Sequence, residues 1–235
     1  MAKAGKAGKA GTAGRPGAEA AGEEARDGAL LPAPVRRPAL WLAGGCALVA
    51  VALGIHYAGG TAAGRVDRWV VDLLPWAVDP QDRIASAAES VVNPVTVALA
   101  AVVLAVVLGL RHRWRLAALA IAGPGLTGVV TETGKAVVRR SLEGWWAYPS
   151  GHTSGATALL LVGALAVLGR DRARAARRAV PALIAVTAGA AAVGLMMVTL
   201  HAHYPTDIVG GYCTAVAVTL GTAAAIDRLR GTPGR

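Results

Sequence analysis

Val91-Val-Asn-Pro-Val-Thr-Val-Ala-Leu-Ala-Ala-Val-Val-Leu-Ala-Val-Val-Leu-Gly-Leu110 contains no charged side chain. A helix that crosses the hydrocarbon core of a bilayer needs about 20 such residues, so this stretch reads as a membrane span. Five more of the same kind follow from the sequence, at residues 39–58, 116–131, 153–169, 179–200 and 208–226. The span at 116–131 is the shortest and carries Gly123, Pro124 and Gly125, which predicts a kink. The fold class is therefore all-α: a polytopic membrane protein with six transmembrane helices. Small residues fill these helices and let them approach closely, which would also accommodate a homodimer.

Composition agrees. The chain has 235 residues, of which 54% are hydrophobic and 16% charged, and 11 of its charged residues lie in the first 37 positions. A soluble protein carries about 25% charged residues. What remains is too apolar for a soluble enzyme. The same argument excludes nucleic acid as a partner, although the net charge is +10. Cys46 and Cys213 both sit in apolar runs, which leaves neither a disulfide framework nor a cysteine-based zinc site.

Lys and Arg set the orientation. With the N-terminus inside, the cytoplasmic pieces hold 18 and the outer pieces six. Both termini are then cytoplasmic, in a plasma membrane. Residues 1–37 repeat Ala, Gly and Lys without a hydrophobic period and read as a disordered basic tail, with 38–227 as the membrane domain and 228–235 as a second tail. Residues 59–90, with Trp69 and Trp76, read as an amphipathic segment on the outer face.

The residues able to do chemistry gather at the outer ends of the last four helices. They are Lys135 with Arg139 and Arg140, then Pro149-Ser150-Gly151-His152, then His201-Ala-His203-Tyr-Pro-Thr-Asp207. A helix opening at Ser150-Gly151 offers free N–H groups and a positive dipole end to an anion. Lys135 and Arg140 supply charge for a phosphate, and Ser150 a hydroxyl donor. His203 and Asp207 stand one helical turn apart, so the carboxylate can hydrogen-bond one imidazole nitrogen and fix its tautomer. Arg139 and His201 are auxiliary candidates whose simpler reading is interfacial. Trp145 and Trp146 suit an aromatic belt, or a loop that holds a hydrocarbon chain beside the site.

These three motifs resemble those of the type 2 phosphatidic acid phosphatase superfamily, six-helix membrane lipid phosphatases that share their helical core with soluble vanadium haloperoxidases. The resemblance covers about residues 90 to 226. It implies that His203 is a nucleophile forming a phosphohistidine, oriented by Asp207, and that His152 is the general acid. It also implies that Lys135, Ser150 and Gly151 bind phosphate, that no metal or other cofactor is needed, and that the site faces away from the cytoplasm. Two family arginines are missing. Leu142 and Glu143 stand where the first motif has Arg-Pro, and Met196 and Met197 where the third has Ser-Arg. Removing one transition-state donor typically costs about 3 to 4 kcal/mol, and Arg140 is the nearest replacement for the first. The implied substrate is a lipid phosphate or diphosphate of polyprenyl or phosphatidic-acid type. The basic, alanine-rich, phenylalanine-free composition suggests a high-GC bacterium, and by that association alone leans slightly toward polyprenyl substrates of the cell envelope. A binding, transport or scaffold protein of the same fold, or a lipid phosphotransferase, are the alternatives.

Overall fold

The computed structural model describes residues 28–74, 90, 93–168 and 172–229. Among them it forms α1 (Ala33–His56), α2 (Arg65–Asp72), α3 (Pro94–Leu110), α4 (Trp114–Val138), β1 (Ser141–Leu142), β2 (Trp145–Trp146), α5 (Gly151–Leu168), α6 (Arg172–Thr199) and α7 (Pro205–Leu229). Each of the six apolar stretches corresponds to one of the long helices, as a polytopic all-α membrane protein requires. Five of the helices are long and apolar enough to cross a membrane, and α3, with 17 residues, is shorter. It starts late because Asn93 caps it, accepting a hydrogen bond from the Thr96 N–H at 2.9 Å, and Pro94 occupies the first turn.

The expectation that the span through Pro124 would be the shortest is corrected. Helix α4 runs 25 residues without a break at Pro124 and continues through Thr131, Glu132 and Lys135 to Val138. In its last two turns Glu132 and Lys135 border a cavity, while Val137 on the opposite side stays exposed. A left-handed Arg139 (φ 52°) ends it.

Helix α7 is central, packing on α1, α4 and α5, with α6 stacked on α5 and α3 on α4. Small residues permit this: a Cβ at Gly123 would stand 3.3 Å from the Thr219 methyl, and one at Gly211 only 2.5 Å from the Ser150 carbonyl oxygen. The outward faces of α3 and α4 expose Leu99, Val103, Val129 and Val137, as lipid-facing helices do.

The residues just ahead of α1 are tied to the end of α7. Asp227 accepts hydrogen bonds from the N–H groups of Leu30 and Leu31 at 2.9 and 3.0 Å and pairs with Arg115. The tail boundary at residue 37 is therefore moved. Leu30 and Leu31 are buried and α1 begins at Ala33, because two leucines and a carboxylate partner fix a stretch that composition grouped with the tail. Residues 1–27 and 230–235 of the two tails, and 75–89 of the outer segment, lie outside the described residues. Along α7, Asp227 stands about 33 Å from Pro205. The polar motifs thus sit at the opposite end of the bundle from Leu30, Leu31 and Asp227.

Candidate active site

At that end lies a cavity of about 610 Å³, bordered by Lys135, His152, His201 and His203 together with Glu132, Glu143 and the hairpin β1–β2. Three stretches distant in sequence do meet here.

The hairpin pairs Ser141 with Trp146 and Leu142 with Trp145, and turns at Glu143 and Gly144, both with positive φ. Two positive φ values in a two-residue turn match the twist of an antiparallel pair. Leu142 and Glu143 face the cavity where the related motif carries Arg-Pro.

Helix α5 opens where expected, but Ser150 does not reach the cavity. It is fully buried. Its Oγ accepts from the Thr153 N–H at 3.4 Å, capping the helix, and its own N–H donates to the Asp207 carbonyl at 3.0 Å. The expected hydroxyl donor is therefore a strut between α5 and α7. Gly151 does border the cavity, and a Cβ there would stand 3.5 Å from the Lys135 Nζ. The lysine thus lies over the helix start, with Glu132 one turn behind it at 2.8 Å.

The His152 and His203 rings lie 6.0 Å apart, centroid to centroid, at 67°. Neither Nδ1 has a hydrogen-bond partner among the described residues. Asp207 is fully buried, and its Oδ2 lies 3.9 Å from the His203 Nδ1. That is an ion-pair distance and not the hydrogen bond that the four-residue spacing predicts. The carboxylate is held elsewhere: Oδ2 accepts from the Tyr204 N–H at 3.0 Å and Oδ1 from Arg140 at 2.6 Å.

Arg140 departs most from expectation. It was the candidate for gripping phosphate, yet it is fully buried and does not border the cavity. Its guanidinium donates to Asp207, to the Thr206 hydroxyl at 2.7 Å and to the Asp67 Oδ2 at 2.5 Å. It stacks between Tyr57 (3.9 Å) and Tyr204 (4.3 Å). A planar cation with five donors suits that position better than a lysine would.

Asp67, from α2, is the residue that sequence reasoning passed over. It is fully buried. Oδ1 accepts from the Thr206 N–H and hydroxyl at 2.9 and 2.7 Å, and Oδ2 accepts from the Gly64 N–H at 2.9 Å as well as from Arg140. Burial alone would raise its pKa. The bonds from Thr206, Gly64 and Arg140 outweigh burial and hold the carboxyl below the usual aspartate range. The only local signal was an acid three residues after Gly64, a helix-start pattern. Nothing in the sequence points across 73 positions to Arg140.

Tyr148 supports the same end: its hydroxyl donates to the Ala50 carbonyl at 2.5 Å. Burial above all pushes the phenol's pKa up.

The auxiliary candidates separate. Arg139 is exposed, donates to the Ala136 carbonyl and does not border the cavity. His201 borders it, but with φ 57° and a backbone task. The Ala202 N–H reaches the Met197 carbonyl and the His201 N–H that of Val198, closing α6 in a Schellman motif whose left-handed position favours glycine. His201→Gly is expected to raise thermal stability by up to about 1 kcal/mol with catalysis retained, read by melting in detergent beside an activity assay.

No group of three or more His, Cys, Asp or Glu among the described residues is arranged to hold a metal ion. Comparison with curated proteins and with solved structures gives no match. A family model, that of the PAP2 superfamily, matches residues 95–230.

Proposed function

Because the chain belongs to the PAP2 superfamily, a family of phosphatases acting on phosphate esters, we propose that it is a membrane lipid phosphatase working through a phosphohistidine. The observation that carries this reading is the pair of imidazoles, 6.0 Å apart, bordering one cavity with Lys135. Binding alone requires no such pair.

His203 attacks phosphorus in line as the P–O bond to the lipid breaks. His152 gives a proton to the departing oxygen and then takes one from the water that hydrolyses the P–N bond, returning both imidazoles to their starting state. Lys135 and the α5 N–H groups at Gly151 stabilise the equatorial oxygens. Asp207 balances the charge that develops on His203. Ser150 and Arg140 act on the framework, not on phosphate.

A second cavity, of about 340 Å³, supports a lipid substrate. It shares Pro94, Glu132 and Gly151 with the first and runs between α3 and α4 past Val102, Gly128 and Ile121. From Glu132 to Ile121 it follows α4 for about 16 Å. An apolar slot opening off a polar cavity suits a phosphate on a hydrocarbon chain, of polyprenyl or phosphatidic-acid type. The Lys and Arg distribution supports an extracytoplasmic site in the plasma membrane.

The test is phosphate release by the purified protein from a panel of lipid mono- and diphosphates, with vanadate as inhibitor. Release from none of them would overturn the proposal in favour of a lipid-phosphate binding or scaffold protein. That second reading is favoured by one observation: Lys135 shares the cavity with Glu132 and Glu143, and Leu142 fills an arginine's place. Appearance of the phosphate on an added alcohol would instead indicate a transferase. The slot makes its own prediction. A Cβ at Gly128 meets nothing within 4 Å, and Gly128 lines the slot, so Gly128→Leu extends into it. KM for long-chain substrates should rise by about tenfold, with KM for a short water-soluble phosphate ester unchanged.

A further inference from the structure

Asp67 lies outside the residues matched by the family model, on a short helix that contributes nothing to the cavity border. It is nevertheless bonded twice to Thr206, at the start of the helix that carries Asp207, and once to Arg140, which itself pairs with Asp207. We propose that Asp67 is a positioning residue for the reaction: by holding and neutralising the Arg140 guanidinium, it leaves Asp207 with an effective negative charge facing His203. This inference rests on the phosphatase reading above.

The argument is one of charge and geometry. Asp67, Arg140 and Asp207 are all fully buried and joined through bonds of 2.5 and 2.6 Å. Two carboxylates and one guanidinium leave one net negative charge. Without Asp67, Arg140 would cancel Asp207 alone, and the attacking imidazole, which becomes cationic on bonding to phosphorus, would face a neutral pair. At short range in a buried cluster such a change is felt strongly. Asp67 also fixes the direction of Asp207, because it grips Thr206, the residue before it, through both N–H and hydroxyl.

The other charged and titratable groups around His203 are His152 on α5, Glu132 and Lys135 on α4, Glu143 on the hairpin, and His201 and Tyr204 beside it in the chain. None of them is altered by the substitutions below, so a shift reports the buried cluster.

The experiment measures the pH profile of phosphate release by the full chain in detergent, for wild type, Asp67→Asn, Asp67→Glu and the double variant Asp67→Asn with Arg140→Gln. Asp67→Asn should lower kcat by about tenfold and move the acidic limb of kcat/KM about one pH unit lower, with KM for the lipid little changed. Asp67→Glu, which keeps the charge, should retain the wild-type limb. The double variant removes one charge of each sign, so its limb should return toward wild type. A purely structural role would not produce that return, and where Asp67→Asn does not fold Asp67→Glu decides, since a limb displaced with the charge kept overturns the proposal. A limb unmoved in Asp67→Asn, or equally displaced in the double variant, overturns the proposal while leaving the phosphatase reading intact. Absence of release by wild type overturns both.

Discussion

His203→Ala is expected to abolish phosphate release, by about 10,000-fold or more, with the fold intact. The imidazole can be removed at little structural cost because its Nδ1 makes no hydrogen bond among the described residues, and the residue is held through its backbone N–H on the Met197 carbonyl. Alanine keeps that bond. The comparison with His152→Ala separates the two roles. Loss of a general acid typically costs about 100- to 10,000-fold, and least for substrates whose leaving group needs no proton. An aryl phosphate with an acidic phenol should therefore recover much of the lost rate in His152→Ala and none in His203→Ala. Trapping a labelled phosphoryl group on the protein gives a second measurement: it should accumulate in wild type and be absent from His203→Ala. Equal rates for wild type and His203→Ala would sink the mechanism.

What the sequence disclosed and what it withheld follow a physical division. The spans at 153–169 and 179–200 were legible because a bilayer imposes length and apolarity on any helix that crosses it. Lys135, His152 and His203 were legible because their motifs lie at helix ends, where local geometry fixes what a side chain borders. Pairings between elements were not. Ser150 and Arg140 have the chemistry of phosphate ligands, and only tertiary packing reveals that both are turned inward, one on Thr153 and Asp207, the other on Asp67 and Asp207. Periodicity also cannot distinguish a polar helix end facing water from one facing a cavity, so the span through Pro124 was ended at Thr131, seven residues before Val138. His201 illustrates the reverse. A histidine two residues from the candidate nucleophile invites a catalytic role, and its positive φ shows that it closes α6.

Arg140→Leu is expected to have the largest effect on folding, and its direction tests whether this arginine serves the framework or the phosphate. A phosphate ligand at a cavity wall could be truncated with loss of affinity and little loss of stability. Arg140 instead stands fully buried between Asp67, Asp207 and two tyrosine rings. Removing one partner of a buried ion pair leaves an uncompensated charge and costs about 3 to 5 kcal/mol, and here two carboxylates lose the same partner. Such a cost is a large share of a typical folding free energy of about 5 to 15 kcal/mol. Little Arg140→Leu protein should survive detergent extraction as a monodisperse species, and its melting temperature should fall well below that of His203→Ala. Acidity should act on the same cluster. The Asp67 carboxyl is held below its ordinary range, so its stabilising contribution is fully present above the unfolded-state value of about 3.9 and is lost as pH falls through the lower folded-state value. Wild type should therefore keep its melting temperature from pH 7 to about 5 and lose it below about 4, while Asp67→Asn should show a shallower acid loss. An Arg140→Leu protein that melts like wild type but binds inorganic phosphate poorly would return this residue to the phosphate site and remove the buried cluster from the account.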